Sequence, residues 1–138
     1  MNFLINLVVV LVIGALIGYE RQTAHGIVGI RSITLVMLGS FIFTYISTLV
    51  GGDPARIIAQ VVTGTGFLSA GLIFKQEATC ISNITTAVLI WCLSALGCLI
   101  GLGYLKESIV ITITLILILK FYRKIFKNSD NNERNEIY

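Results

Sequence analysis

The side chains best suited to chemistry in this chain lie inside one apolar stretch, residues 54–74. At about 1.5 Å per helical residue, this stretch is long enough to cross a bilayer core of roughly 30 Å. Helical spacing places six of its residues on one face: Arg56, Gln60, Thr63, Gly64, Phe67 and Gly71. A membrane helix with a polar, glycine-containing face typically packs against other helices and places polar groups between them. The pattern therefore predicts a multi-span membrane protein with a functional interior.

The carboxylates avoid the apolar stretches. The chain has seven Asp and Glu residues, of which three belong to the C-terminal tail and four flank apolar stretches: Glu20, Asp53, Glu77 and Glu107. An ion pathway usually shows an acidic group at depth, and Mg²⁺ requires carboxylate oxygens. The predicted interior offers only amides and hydroxyls. We therefore expect neither a dedicated ion pore nor a metal site.

Other catalytic signatures are missing from the sequence. His25 stands alone, and the three cysteines are not at metal-ligand or C-x-x-C spacing. There is no phosphate-binding glycine loop, no H-E-x-x-H and no nucleophile elbow. No basic patch interleaved with aromatics lies outside the apolar stretches, which argues against nucleic-acid binding. We expect no enzyme activity and no cofactor, and we expect Trp91, in mid-span, to pack inside the bundle.

The elements that must position these residues are membrane helices. Of the 138 residues, 56% are hydrophobic and only 12% are charged, whereas soluble domains average about 25% charged residues. Five spans are predicted, at 3–19, 32–50, 54–74, 84–104 and 108–122. The expected fold class is thus all-α, a polytopic membrane bundle of about five transmembrane helices in contact with the lipid bilayer.

The ends of these spans carry further signals. Asp53 followed by Pro54 predicts an N-cap and the first position of the third helix. The fifth span is bulky and β-branched without glycine, so we expect it at the lipid-exposed periphery. Residues 1–122 would form the transmembrane domain and 123–138 a short polar cytoplasmic tail, disordered from Asn128 onward.

The cations orient the predicted array. One side would hold Arg21, Arg31, Lys75, Lys120, Arg123, Lys124, Lys127 and Arg134, and the other side Arg56 and Lys106. Cytoplasmic loops carry the excess of Lys and Arg. The N-terminus is therefore expected outside and the C-terminus in the cytoplasm.

Small residues four apart predict close packing of two helix backbones. Gly14 and Gly18 in the first span and Gly97 and Gly101 in the fourth have this spacing. Gly64, Gly66 and Gly71 in the third span are also expected to serve helix packing. Helix packing is the simpler interpretation, although such faces can also line a substrate groove.

The charged residues at the helix ends also allow two interpretations. Glu20 could pair with Arg21 or Arg31, and Asp53 could pair with Arg56 at the opposite membrane face. Alternatively, these groups recognise a partner or ligand.

The order of these segments resembles the MgtC/SapB family. The resemblance is carried by residues 14–22, 29–32, 53–71 and 83–87, with Trp91 and the glycines Gly97, Gly101 and Gly103. It implies a bacterial inner-membrane protein of five spans with its C-terminus inside. The polar signature residues that it implies as binding or docking residues are Glu20, Arg21, Arg31, Asp53, Arg56, Gln60 and Asn83.

The resemblance also implies a function. Family members are linked to survival in low magnesium, to virulence and to inhibition of the F-type ATP synthase through its membrane sector. The leading hypothesis is therefore a non-enzymatic protein that contacts a larger membrane complex and is tied to magnesium homeostasis. The alternative is a small Mg²⁺ transporter or channel subunit working as a homo-oligomer.

The chain departs from the family pattern in two ways. Better-studied members continue into a cytoplasmic ACT-like domain, which we expect this chain to lack. Ser32, Thr65 and Ser69 stand where threonine, isoleucine and glycine are usual.

Overall fold

The protein is built from helices alone. The computed structural model describes residues 2–23, 28–73 and 84–135, with side chains described as far as residue 121. Within these ranges it contains no strand and five helices: α1 (Phe3–Thr23), α2 (Ile30–Leu49), α3 (Pro54–Ile73), α4 (Ile84–Gly101) and α5 (Leu105–Asn135). The predicted all-α class is confirmed.

Four helices, α1 to α4, are long and apolar enough to cross a membrane. α5 begins beside Lys106 and Glu107 and carries an apolar run only over residues 109–119. The fifth crossing therefore stays a prediction. α5 also continues as helix to Asn135, where the sequence had predicted a disordered tail. No proline or glycine occurs between its ends, so nothing in the backbone chemistry interrupts it.

α4 is the central helix of the bundle, and it contacts all four others. The hydrophobic core joins α1, α2 and α4 through fully buried side chains such as Ile17, Phe41 and Leu93. α3 touches only α2 and α4 within the described residues, and it contributes no large apolar side chain to the buried core. α5 touches only α4 and α1 there, as its predicted peripheral place requires.

α1 and α2 run antiparallel and meet at two glycines. A Cβ on Gly14 would lie 2.9 Å from the Cα of Thr34, and one on Gly18 would lie 2.7 Å from the Cα of Ile30. At the opposite end of the pair, the ring of Phe3 lies 4.8 Å from that of Tyr45. The two backbones can approach this closely because the glycines have no side chain.

α2 and α4 run parallel and also meet at glycines. A Cβ on Gly97 would collide with the Met37 carbonyl oxygen and would lie 2.9 Å from the Cβ of Ser40. One turn later, a Cβ on Gly101 would lie 2.8 Å from the Cβ of Thr44. This joint is the tightest in the bundle.

The two short connections lie at the same end of the bundle. Gly51, between α2 and α3, has φ of 66°, and Gly103, between α4 and α5, has φ of 93°. Both values lie in the left-handed region that glycine adopts without strain. These connections place the starts of α3 and α5 at the same end of the bundle, which also holds the start of α1.

Candidate functional site: an exposed polar face on α3

The polar residues of α3 point away from the rest of the protein. All six residues that the sequence placed on one helical face are exposed in the structure, and Phe67 is 82% exposed. The predicted register is thus correct. The inferred direction is not, because this face was expected to pack against other helices of the bundle.

Gly64 and Gly71 show the same outward orientation, and the half-buried Gly66, on another side of the helix, also has open space beside it. A Cβ added to Gly64, Gly66 or Gly71 would meet nothing within 4 Å. Packing of these three glycines against helices of the same chain, as the sequence predicted, is therefore wrong. The surface of α3 around Gly64 and Gly71 is therefore open, and the backbone of another helix could approach it closely.

The residues that α3 buries are Thr65 and Ser69. These are two of the three positions at which the sequence departs from the family pattern. The Ser69 hydroxyl is buried and has no hydrogen-bond partner among the residues that the structure describes. Because α3 meets its neighbours through small polar side chains, it is held with less buried apolar surface than α4.

Two polar groups of the exposed face lie at membrane depth. Gln60 is six residues after Pro54, about 9 Å along the helix. Its amide makes no hydrogen bond within the part of the chain that the structure describes. Thr63, by contrast, donates its hydroxyl to the Ala59 carbonyl oxygen at 3.0 Å. Of these two groups, Gln60 is therefore the one that lacks a partner among the described residues.

The end of the face carries two opposite charges. The Asp53 carboxylate accepts a hydrogen bond from the Ala55 backbone N–H at 3.0 Å, which confirms the predicted N-cap. Asp53 and Arg56 are both exposed, and no ion pair joins them among the described residues. The Asp53–Arg56 pairing predicted within one chain is thus a second correction, because the carboxylate turns to the helix backbone instead.

A groove of about 510 Å³ runs between α2 and α3 beside this face. Its wall is mostly apolar, and Gln60 and Ser40 contribute polar groups. Gly39 on one side and Gly64 on the other keep it wide. Its shape and apolar wall suit the side chains of another helix.

The remaining signature residues lie at the other end of the bundle. The Arg21 guanidinium donates a hydrogen bond of 2.7 Å to the Thr86 hydroxyl, which ties α1 to the start of α4. Arg31 is exposed and Glu20 half-buried, both near the close contact of α1 with α2. Asn83 lies outside the described residues. The structure thus separates this cluster from Asp53, as the sequence predicted, and does not gather the signature residues into one site.

The interior shows little that could carry an ion. The buried Ser40, Ser94 and Thr112 hydroxyls each donate to a carbonyl of their own helix, at 3.0, 2.8 and 2.7 Å. No group of three or more metal-binding side chains occurs within the described residues. These three hydroxyls are satisfied locally, whereas the buried Thr34 and Ser69 hydroxyls have no hydrogen-bond partner within the described residues.

Sequence reasoning missed one interior contact and misplaced another side chain. Asn6 is almost fully buried and donates its amide to the Ile100 carbonyl oxygen at 3.2 Å, which joins the start of α1 to the end of α4. An asparagine within the apolar run of α1 was the only available signal. Trp91, expected inside, is 48% exposed and faces outward.

The comparisons with known proteins agree with these features. Residues 7–128 match the sequence profile described as MgtC family. Protein MgtC of Brucella abortus (strain 2308) is 43% identical over 108 residues, which cover 77% of this chain and 45% of that protein. Protein MgtC of Salmonella typhimurium (strain LT2) is 38% identical over 115 residues, which cover 83% and 49%. No solved structure matches.

The chain spans about half the length of the curated relatives it matches. Its apolar helices and its bacterial relatives show that it is a bacterial membrane protein. The match to the family profile extends over the whole helical bundle described above, from α1 into α5. This chain belongs to the MgtC family.

Proposed function

We propose that this protein is non-enzymatic and acts by helix–helix contact with a larger membrane complex, in connection with magnesium homeostasis. The observation that supports this most directly is the exposed polar, glycine-containing face of α3. The face is turned toward the bilayer, where an ordinary lipid-facing helix would carry leucine.

Bilayer chemistry makes such a face unfavourable unless another helix covers it. Lipid chains cannot hydrogen-bond the Gln60 amide, and a polar group without a partner in hydrocarbon is costly. A second helix can bond the amide, and it can pack closely because Gly64 has no side chain. Interhelical polar contacts of this kind contribute about 0.6 kcal/mol on average and up to roughly 2 kcal/mol.

The alternative, a Mg²⁺ transporter, has weaker support. Glu20 and Asp53 lie at opposite ends of the bundle, so they cannot share an ion whose ligands stand about 2 Å away. The buried Ser40, Ser94 and Thr112 hydroxyls bond to carbonyls of their own helices. A transport path would require oxygen ligands at depth that are free to bind the ion.

The family resemblance suggests which partner and orientation to test first. The proposed partner is the membrane sector of the F-type ATP synthase. The proposed orientation is N-out and C-in, with residues 123–138 in the cytoplasm. The orientation is supported by the antiparallel order of the helices, in which Arg21 and Arg31 lie at one end of the bundle and Arg56 lies at the other.

The proposal can be tested in inverted bacterial membrane vesicles that contain the ATP synthase. We expect the protein to lower the rate of ATP-driven acidification, measured with a pH-sensitive dye. Gly64→Leu should abolish the effect, because the leucine blocks close approach of another helix, while its Cβ meets nothing within 4 Å in its own chain. Ile113→Leu on α5, at a side chain that is 54% exposed, serves as the matched control and should act like the unaltered protein.

Two results would contradict the proposal. One is an acidification rate that Gly64→Leu and the unaltered protein lower equally. The other is a flux of Mg²⁺ into liposomes that contain the protein and are loaded with a Mg²⁺-sensitive dye, where we expect none. A flux that Asp53→Asn abolishes would favour the transporter.

A further inference from the structure

We propose that the α3 face binds a second copy of this chain, forming a parallel two-fold dimer that covers Gln60 and Gly64. This inference rests on the proposed role of the α3 face as a helix-docking surface and names one occupant of it. A dimer through this face and a docked membrane complex would exclude each other.

The first argument is that the face is chemically complementary to itself. In a two-fold interface, residues on the symmetry axis meet their own copies. An amide both donates and accepts hydrogen bonds, so Gln60 of one copy can bond Gln60 of the other. Gly64 lies one turn further on, and a Cβ there would meet nothing within 4 Å in its own chain. Because glycine has no side chain, the α3 backbones of the two copies can approach closely at this position.

The second argument is charge. Asp53 and Arg56 are exposed at the same membrane level, and no ion pair joins them in the described chain. By helical register, Asp53 falls on the same face as Gln60 and Gly64. In a parallel two-fold dimer these residues of the two copies lie near the same level, and the long Arg56 side chain of each copy can reach Asp53 of the other, giving two symmetric ion pairs.

The distances permit these contacts to form together. Asp53 lies eleven residues from Gly64, or about 16 Å along the helix. If two copies of α3 cross at Gly64 at the roughly 20° common in membrane bundles, their axes diverge by only about 6 Å over that length. A long arginine side chain spans this separation. Gln60, about 6 Å from the crossing, remains close to its copy.

The dimer leaves the rest of the bundle undisturbed. The face lies on the side of α3 away from α4, and α3 contacts only α2 and α4 within the described residues. The α2–α3 groove opens beside it, where the highly exposed Phe67 of the second copy could insert. A second copy therefore meets a preformed surface.

A charge-exchange experiment tests the pairing. The full chain is produced with two different affinity tags, and self-association is measured by co-isolation and by energy transfer in phosphatidylethanolamine–phosphatidylglycerol vesicles. We expect Asp53→Lys alone and Arg56→Glu alone to weaken self-association. Each places two like-charged pairs across the interface, and each exposed pair should change the dimerisation constant by roughly 1.5- to 5-fold.

Mixing the two variants gives the decisive result. Asp53→Lys on one copy and Arg56→Glu on the other restore both attractive pairs, so the mixed dimer should form in preference to either self-dimer. Asp53→Asn keeps the helix cap and serves as the control for loss of the cap. Gly64→Leu should abolish association, with an unchanged thermal unfolding profile showing that the bundle is intact.

The inference is overturned if the unaltered chain stays monomeric in the vesicles. It is also overturned if the mixed variants associate no better than either variant alone. A different protein as the true occupant would give the second result, because its surface would not carry the compensating charge. Neither outcome depends on the acidification assay, so this inference and the proposed function can fail separately.

Discussion

The close α2–α4 joint makes Gly97→Ala the most informative test of the fold. The new Cβ would lie 2.9 Å from the Ser40 Cβ and still closer to the Met37 carbonyl oxygen. Ordinary contacts between carbon atoms lie near 3.5 to 4.0 Å, so one helix has to move outward.

The expected cost follows from two opposing effects. Overpacking a well-packed interior typically costs about 1 to 3 kcal/mol. Alanine is intrinsically better than glycine in a helix by about 1 kcal/mol, which offsets part of this. The overpacking should be near the upper end of its range, because one of the atoms met belongs to the backbone and cannot rotate away. The net loss of unfolding free energy should be about 1 to 2 kcal/mol.

Two matched substitutions provide the controls. Gly39→Ala on α2 and Gly64→Ala on α3 introduce a Cβ that meets nothing within 4 Å. Only the helix propensity acts there, so both should be neutral or stabilising by up to about 1 kcal/mol. The assay is unfolding in mixed micelles of dodecyl maltoside and SDS, followed by far-ultraviolet circular dichroism at low protein concentration. Equal responses at Gly97 and Gly64 would refute the packing described here, including the outward direction of the α3 face.

Other expected outcomes concern the polar contacts and the orientation. Arg21→Met and Thr86→Val should each cost about 1 to 3 kcal/mol of unfolding free energy, and the double variant should cost less than their sum, as a double-mutant cycle would measure. Asp53→Ala should lower stability by about 1 kcal/mol in the micelle assay, whereas Asp53→Asn keeps the cap and should change it little. Asn6→Leu removes the bond between α1 and the Ile100 carbonyl, which keeps its second donor, the Gly103 N–H at 2.9 Å, and should therefore destabilise by only about 0.5 to 1.5 kcal/mol, a loss that an unchanged unfolding curve would disprove. A reporter active only outside the cell should be silent when fused after Lys127 and active when inserted beside Asp53; the reverse pattern would overturn the orientation.

Helix positions could be predicted from the sequence because they depend on local chemistry. Asp53 and Pro54 mark the start of α3, and the structure shows the cap hydrogen bond. The same locality explains an error at the other end of the chain. The polar composition after Asn128 suggested disorder, but composition does not by itself end a helix that meets no proline or glycine.

The direction of the α3 face could not be predicted in the same way. Periodicity showed which residues share the face but not which way it turns. In water, burial of apolar surface would decide this, whereas in a bilayer lipid is as apolar as the protein interior and the choice falls to packing. The packing depends on the shapes of α2 and α4, and on the small side chains of Thr65 and Ser69 that fit against them.

Contacts between distant residues were also beyond the sequence. Arg21 was one of the two arginines that the sequence offered as partners of Glu20, and the structure shows it bonded to Thr86, 65 positions along the chain. Asn6 bonds a carbonyl 94 positions away. Both contacts depend on α4 lying against α1, which no local pattern encodes.

The central place of α4 has a consequence for biosynthesis. The ribosome delivers α1, α2 and α3 to the membrane before the helix that all of them contact. Until α4 has been synthesised as far as Gly101, the surface of the α1–α2 hairpin that packs against α4 is exposed to lipid. The Asn6 amide also lacks its acceptor, the Ile100 carbonyl oxygen. A chain truncated before α4 therefore leaves three incompletely assembled helices in the bilayer, which makes it a natural target for membrane proteases. Completion of α4 is the step at which the three earlier helices first gain the contacts that they share with it.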